Sequence, residues 1–120
     1  MSTKQHVQEL VSLVEQGRMT EALEKLYADD VVMQENLNPP TVGLAANLAR
    51  ERAFFGSLRS VQFRARSVVA DGDRATINWV FETVTPDGTR RTVDELAYQT
   101  WRDGKVVQER FYYDPGAQAA

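Results

Sequence analysis

Residues 71–113, DGDRATINWVFETVTPDGTRRTVDELAYQTWRDGKVVQERFYY, decide the fold of this chain. Three runs in this stretch alternate apolar with polar residues, which is the period of a β-strand: residues 74–84, 90–102 and 105–113. The turns between them are short and contain glycine, as in hairpins that join antiparallel neighbours. Residues 61–70 alternate in the same way. The C-terminal half is therefore predicted to be an antiparallel meander.

The N-terminal half carries helical spacing instead. Three segments have apolar residues three and four positions apart, ending near Gly17, Tyr27 and Gly56, and a strand over residues 31–36 separates the second segment from the third. Ser2 and Gln5 suit a capping box at the start of the first helix. Helices segregated from a meander indicate an α+β fold, and residues 1–120 suit one domain with the helices packed on one sheet face.

Composition excludes several classes of function. Seventeen acidic against 14 basic residues give a net charge of −3, which argues against a nucleic-acid partner. No apolar run approaches the roughly 20 residues of a membrane span, so a cytoplasmic protein without a membrane partner is expected. The chain has no cysteine and a single histidine, His6, which argues against disulfides, thiolate chemistry, a histidine-rich metal site and a Ser-His-Asp triad. No metal or organic cofactor is implied.

Strand alternation predicts which side chains face the interior. The inward positions are Val31, Met33 and Glu35 in the first strand, and Ala75, Ile77, Trp79 and Phe81 in residues 74–84. In residues 90–102 they are Val93, Glu95, Ala97, Gln99 and Trp101, and in residues 105–113 they are Val107, Glu109, Phe111 and Tyr113. Three carboxyl groups therefore lie on otherwise apolar faces.

Carboxylates on apolar faces are costly, because an ion removed from water loses several kcal/mol unless it is paired or protonated. We expect at least one of Glu35, Glu95 and Glu109 to hold a proton near neutral pH or to bind an arginine. The candidate partners are Arg52, Arg64 and Arg66. A carboxyl group with a raised pKa is what general acid–base catalysis requires.

Structural interpretations compete with this one. Glu35 could be solvated at the rim of the pocket, Glu109 could pair with another residue to hold the last strand, and a register shift of one residue would turn Glu95 to solvent. The aromatic residues Trp79, Trp101, Phe111 and Tyr113 could be ordinary core.

Two motifs resemble a known family. They are LYADDVV at residues 26–32, and WRDGKVV followed by ERFYYD at residues 101–114. In this order and spacing the chain resembles the SnoaL-like proteins of the nuclear transport factor 2-like superfamily, which include polyketide cyclases and ketosteroid isomerase-like enzymes. The resemblance implies a strongly curved sheet that forms a cone with an internal pocket, helices that close its mouth, a small apolar ligand, and a dimer formed through the outer sheet face.

The resemblance transfers to individual residues only in part. Glu35 falls where ketosteroid isomerases keep the carboxylate that moves the proton. The tyrosine and aspartic acid of their oxyanion hole correspond to Leu10 and Ala97, so steroid isomerisation by that mechanism is disfavoured, because the developing oxyanion would lack its donors. SnoaL-like cyclases use an acid from the final strand, and Glu109 is the nearest inward carboxyl.

Three hypotheses follow. The first is an isomerase, lyase or cyclase acting on an apolar carbonyl compound, in which Glu35 moves a proton and Glu109 or Glu95 is a second acid; the substrate would be shaped by Trp79, Gln99, Trp101, Phe111 and Tyr113. The second is a non-catalytic module that binds a hydrophobic ligand or a cationic group in the same cone. The third is an interaction domain that dimerises through the outer sheet face, with Leu96, Tyr98 and Val80.

Overall fold

The computed structural model describes residues 1–116, so residues 117–120 of the predicted domain lie outside the described residues. Nine elements follow in the order α1 (Thr3–Glu15), α2 (Met19–Leu26), β1 (Tyr27–Glu35), β2 (Thr41–Val42), α3 (Leu44–Gly56), β3 (Ser60–Asp71), β4 (Arg74–Val84), β5 (Arg90–Arg102) and β6 (Lys105–Tyr112). The helices pack on one curved, open sheet, and the predicted α+β cone fold is confirmed.

The six strands lie in the order β2-β1-β6-β5-β4-β3. Four of the five pairings are antiparallel, whereas β1 and β6 pair in parallel. The expectation of a purely antiparallel sheet is therefore wrong at this one position. The parallel pairing sets Met33 opposite Glu109 and Glu35 opposite Phe111. It thereby places β1, from the N-terminal half of the chain, beside β6, the last strand, in the sheet.

The helices begin and end largely where their signals predict. Ser2 and Gln5 form the expected capping box, in which the Gln5 amide donates to Ser2 Oγ at 3.2 Å and the Ser2 amide donates to Gln5 Oε1 at 2.8 Å. Tyr27 departs from the prediction, since it is the first residue of β1 and not the last of α2. In α3 the one fully buried side chain is Asn47, whose amide donates to the carbonyl oxygens of Thr41 and Gly43.

The predicted inward face of β5 is confirmed, because its five members are all buried: Val93, Glu95, Ala97, Gln99 and Trp101. The prediction for β6 is wrong at Val107. Val106 is fully buried and pairs with Trp101, while Thr100 pairs with Gln108, so Val107 is the extra residue of a β-bulge. Alternation could not reveal this bulge, because both residues are valine.

The core lies between α1, α2 and the concave sheet face. Its largest fully buried apolar side chains are Leu10, Leu23, Met33 and Ile77. The His6 ring of α1 stacks on Trp101 of β5 with centroids 5.9 Å apart. Within residues 1–116, no helix has the length and apolar character that crossing a membrane requires.

Candidate functional site

A cavity of about 410 Å³ lies between the concave sheet face and the helices. Much of its wall is apolar and aromatic: Met33, Phe63, Trp79, Phe81, Val93 and Phe111. The exposed lining residues Phe54 and Arg91 mark its mouth. This size and lining suit a small, largely apolar molecule.

Four carboxyl groups from four different elements line the same cavity: Glu35 of β1, Glu51 of α3, Glu95 of β5 and Glu109 of β6. The sequence pattern predicted three of them, and Glu51 is the addition. Among the described residues, the cavity lining includes two guanidinium groups, those of Arg50 and of Arg91 at the mouth. Acidic groups therefore outnumber basic ones, and the cavity must either hold protons or bind a cation to balance them.

Glu35 has both carboxylate oxygens occupied by protein donors. The Tyr113 hydroxyl donates to Oε1 at 2.7 Å, and Arg50 Nη1 forms an ion pair with Oε2. The Glu35 side chain is 35% exposed, so it is neither as buried as an inward position predicts nor as solvated as a position at the rim predicts. Burial and the charge of Glu35 raise the pKa of Tyr113 to about 12, so this hydroxyl stays protonated as a donor.

The arginine that pairs with Glu35 was not among the predicted partners. Arg66 binds Asp94 on the outer sheet face, and Arg52 and Arg64 are exposed. Arg50 reaches the cavity because its position on α3 turns it toward β1. Of the buried side-chain nitrogen and oxygen atoms within residues 1–116, Arg50 Nε alone has no hydrogen-bond partner. This N–H is therefore a buried donor without a partner among the described residues.

Glu109 is 1% exposed and is held at both oxygens. The Tyr27 hydroxyl donates to Oε1 at 2.5 Å, and Gln99 Nε2 donates to Oε2 at 2.6 Å. Gln99 Oε1 in turn accepts from the Trp101 indole N–H at 3.0 Å. Burial raises the pKa of Glu109 to about 7, although the hydrogen bonds from Tyr27 and Gln99 oppose that rise.

Glu95 differs from the other two predicted carboxyls because the described part of the chain supplies no side-chain partner for it. Within residues 1–116, no side chain forms a hydrogen bond or ion pair with its carboxyl group, which is 9% exposed by residue. Burial, followed by the charges of Glu109 and Glu35, raises the pKa of Glu95 to about 8. Glu95 therefore holds a proton at neutral pH and can donate it to a ligand.

Glu51 completes the acidic set. Burial raises the pKa of Glu51, with Arg50 opposing the rise and Glu35 adding to it. Arg50 Nη2 lies 3.9 Å from the Glu51 carboxylate, which is a long contact beside the Arg50–Glu35 pair. Among the described residues, no three histidine, cysteine, aspartate or glutamate side chains are placed to hold a metal ion.

Three of the five predicted substrate-contacting residues, Trp79, Phe111 and Tyr113, line the cavity. Gln99 and Trp101 do not, which corrects their predicted place. Both side chains are buried behind the cavity wall. Trp101 stacks on His6 and donates to Gln99, and Gln99 donates to Glu109, which does line the cavity.

Sequence reasoning missed Tyr27, Arg50 and Glu51. Tyr27 was assigned to a helix, which hid its parity with Val31, Met33 and Glu35 on β1. Arg50 and Glu51 stand in the run ARER, which has the appearance of an exposed helical face. One signal could have pointed to Arg50: an inward Glu35 carboxylate is expected to pair with an arginine, and α3 is an element that carries one close to β1.

Residues 7–109 match the SnoaL-like domain family. A candidate SnoaL-like polyketide cyclase from Mesorhizobium loti superposes with a TM-score of 0.82 at 24% identity, covering 94% of this chain and all of its own. TerC, co-crystallised with polyporic acid, gives 0.80 at 20% identity, with 94% and 92% covered. A protein from Catenulispora acidiphila with a ketosteroid isomerase-like fold, in complex with trimethylamine, gives a TM-score of 0.78 at 16% identity, with 96% of this chain and 88% of its own covered. No curated protein matches the sequence.

Proposed function

The chain belongs to the SnoaL-like domain family, and from that premise we propose that its cavity catalyses proton transfer on a small apolar compound carrying a carbonyl group. The reaction would be an isomerisation, elimination or cyclisation. One observation carries this proposal: the buried Glu95 carboxyl, which has no side-chain partner within residues 1–116 and whose pKa burial raises to about 8, shares a cavity with the ion-paired carboxylate of Glu35. A pair of carboxyls in unlike environments is typical of acid–base catalysis.

The two carboxyls take opposite roles. The Glu35 carboxylate accepts a proton from the carbon beside the carbonyl group, and the Glu95 carboxyl donates a hydrogen bond to the carbonyl oxygen as negative charge develops there. Returning the proton from Glu35 to another carbon would complete an isomerisation and restore both groups. Arg50 holds Glu35 in place through their ion pair.

Glu95 also answers the objection that a base alone is a poor enolisation catalyst. Leu10 and Ala97, at the positions that the resemblance assigns to oxyanion-hole donors, are buried in the core and do not line the cavity. A protonated carboxyl on the neighbouring inward position of β5 can stabilise the oxyanion in their place. Steroid isomerisation by the ketosteroid isomerase mechanism stays disfavoured, because the side chains of Leu10 and Ala97 cannot donate hydrogen bonds to an oxyanion.

The proposal is tested by hydrogen–deuterium exchange at carbon. Cyclic enones and β-keto esters are incubated with the protein in D₂O, and loss of the α-proton signal is followed by NMR. We expect exchange above the buffer rate, reduced about 100-fold or more in Glu35→Gln and in Glu95→Gln. The matched control is Glu24→Gln, because Glu24 is exposed on α2. Exchange that is unchanged in both cavity variants would refute the assigned roles.

A cationic ligand is the second candidate, and it is favoured by the excess of carboxyls over Arg50 within aromatic walls. A quaternary ammonium group would contact the ring faces of Trp79 and Phe111 while balancing the acidic charge. The trimethylamine complex of the Catenulispora acidiphila protein supports testing this class. Tetramethylammonium binding, measured by calorimetry and only modestly weakened in Glu35→Gln, would favour a non-catalytic module over an enzyme.

A further inference from the structure

A chain of hydrogen bonds runs from behind the cavity to its wall. The Trp101 indole N–H donates to Gln99 Oε1 at 3.0 Å, and Gln99 Nε2 donates to Glu109 Oε2 at 2.6 Å. The Tyr27 hydroxyl closes the chain at Glu109 Oε1, at 2.5 Å, and Tyr27 lines the cavity. All four side chains are buried. Tyr27, Gln99 and Trp101 have no part in the proton transfer proposed for Glu35 and Glu95.

The direction of this chain is fixed at its Trp101 end. An indole nitrogen can only donate, so the Gln99 atom that faces it must be the oxygen. The amide –NH₂ of Gln99 must then face Glu109, and Oε2 of Glu109 must accept. A proton on Oε2 would confront that –NH₂. When Glu109 binds a proton, the proton therefore goes to Oε1, the oxygen shared with Tyr27.

We infer that protonation of Glu109 reverses the Tyr27–Glu109 hydrogen bond and turns the Tyr27 hydroxyl hydrogen into the cavity, where it donates to an oxygen atom of the ligand. With Glu109 ionised, Tyr27 donates to Oε1. With Glu109 protonated, Oε1–H donates to the Tyr27 oxygen, and the hydroxyl hydrogen is released. Gln99 and Trp101 act as positioning residues, because they reach the ligand only by keeping the proton on the Tyr27 side.

The groups around Glu109 determine the pH at which it binds a proton. The chain of hydrogen bonds determines which of its two oxygens holds that proton. The titratable and charged groups that face Glu109 are Tyr27 from β1, Arg50 and Glu51 from α3, and Glu95 from β5. Burial raises the pKa of Glu109 most, with Glu51 adding to the rise and Arg50 opposing it. Burial and the charge of Glu109 hold the pKa of Tyr27 well above its usual range, so Tyr27 keeps its own proton in both states.

This inference deepens the proposed function and takes its ligand class from it: a compound with an acceptor oxygen, such as a carbonyl or an enolate. In the protonated state Tyr27 would join Glu95 as a donor to that oxygen. In the ionised state Tyr27 presents lone pairs to the cavity instead. Ligands with an acceptor oxygen are therefore expected to bind more tightly as the pH falls through the titration of Glu109.

The experiment identifies which oxygen of Glu109 holds the proton, and it needs no ligand. Infrared difference spectra between acidic and alkaline pH report the carbonyl stretch of the protonated carboxyl, and they are recorded in a Glu95→Gln background to remove its band. If the proton is on Oε1, the carbonyl oxygen is Oε2, which accepts from Gln99. Tyr27→Phe should then leave the band nearly in place, because Tyr27 does not donate to the carbonyl oxygen, whereas Gln99→Met should change its frequency. The reverse pattern would overturn the inference.

Two tryptophan variants test the origin of the direction. Trp101→Phe removes the donor that orients Gln99, so a second carbonyl band should appear as the amide takes both orientations. Trp79→Phe is the matched control, since Trp79 lines the cavity but is outside the chain, and it should keep a single band. A single unshifted band in Trp101→Phe, with the fold intact by circular dichroism, would overturn the role of Trp101.

The two proposals fail separately. Carbon exchange that is absent in the wild-type protein, or unchanged in both Glu35→Gln and Glu95→Gln, would refute the proposed function without affecting the inference about Tyr27 and Glu109. Carbon exchange as expected, together with the reverse band pattern, would refute only the reversal of the Tyr27–Glu109 hydrogen bond.

Discussion

Glu35 and Glu95 share one cavity, but their partners separate them chemically. Arg50 and Tyr113 occupy both oxygens of Glu35, so its charge is compensated within the protein. Glu95 has neither, and its raised pKa follows from burial more than from any single neighbour. The environment around each residue therefore assigns the roles of base and acid, because their side chains are chemically identical.

The raised pKa of Glu95 has a consequence for stability. Its folded-state pKa, about 8, lies above the ordinary value of 4.5, so the folded protein binds this proton more tightly than the unfolded chain does. The resulting stabilisation is full below pH 4.5 and is lost as the pH rises through 8. Glu95→Gln removes the dependence. We expect urea unfolding to show a variant close to wild type at pH 5 and more stable by a few kcal/mol, at most about 5, at pH 9.

Glu24→Gln serves as the exposed control in that series and should follow wild type at every pH. A stability difference between Glu95→Gln and wild type that is the same at pH 5 and pH 9 would show that Glu95 is ionised throughout.

The sequence predicted the inward carboxyls because strand parity is a local property. One buried residue, such as Val93, fixes the side of every second residue along β5, Glu95 included. Arg50 and Glu51 are different, because their approach to Glu35 depends on how α3 lies across β1, and no local pattern encodes that packing. Tyr27 was missed for a third reason, a strand that begins directly at the end of a helix.

Element boundaries in the meander were predictable almost to the residue, since glycine-containing turns punctuate it. Bounds of 74–84 and 90–102 are those of β4 and β5. The bulge at Val107 and the parallel pairing of β1 with β6 were not predictable. The first is hidden by two consecutive valines, and the second joins strands that are far apart in the chain, where turn chemistry gives no information.

The β5–β6 turn offers a test of how closely it packs against His6 of α1. Gly104 has a φ of +76°, and a Cβ there would lie 3.1 Å from His6 Nε2, the ring that stacks on Trp101. Gly104→Ala should lose about 1–2 kcal/mol from the left-handed backbone, plus the cost of displacing His6. Gly72→Ala, with φ +60° and nothing near its Cβ, should lose the backbone contribution only. Equal losses in chemical denaturation would show that the His6 contact has no energetic weight.

The whole molecule presents two faces of opposite character. The concave face forms the cavity, and the convex face exposes Leu96, Tyr98 and Tyr112, each about 40% accessible. Arg66, Asn78 and Asp94 form a polar network on the same convex face. Pairing of two copies through this outer face stays a prediction, and an apolar cluster bordered by charged groups is the kind of surface it requires.

That pairing is measured by sedimentation velocity. We expect a dimer at micromolar concentration for the wild-type chain and a shift toward monomer in Leu96→Arg, because a buried unpaired charge would oppose association. Val42→Arg is the control, since Val42 is exposed on the short strand β2. A monomeric wild-type protein would contradict the dimer and favour a cavity that works in a single chain.

The proposed acid–base pair requires a proton on Glu95 at neutral pH, and carboxyl-carbon NMR titration of the wild-type protein measures the pKa of that group directly. Assignment by comparison with Glu95→Gln identifies the resonance. We expect a pKa of about 8 for Glu95, well above the roughly 4.3 of a free glutamate. A pKa at or below that reference value would mean that Glu95 is an ordinary carboxylate at neutral pH, and the proposed general acid would not exist.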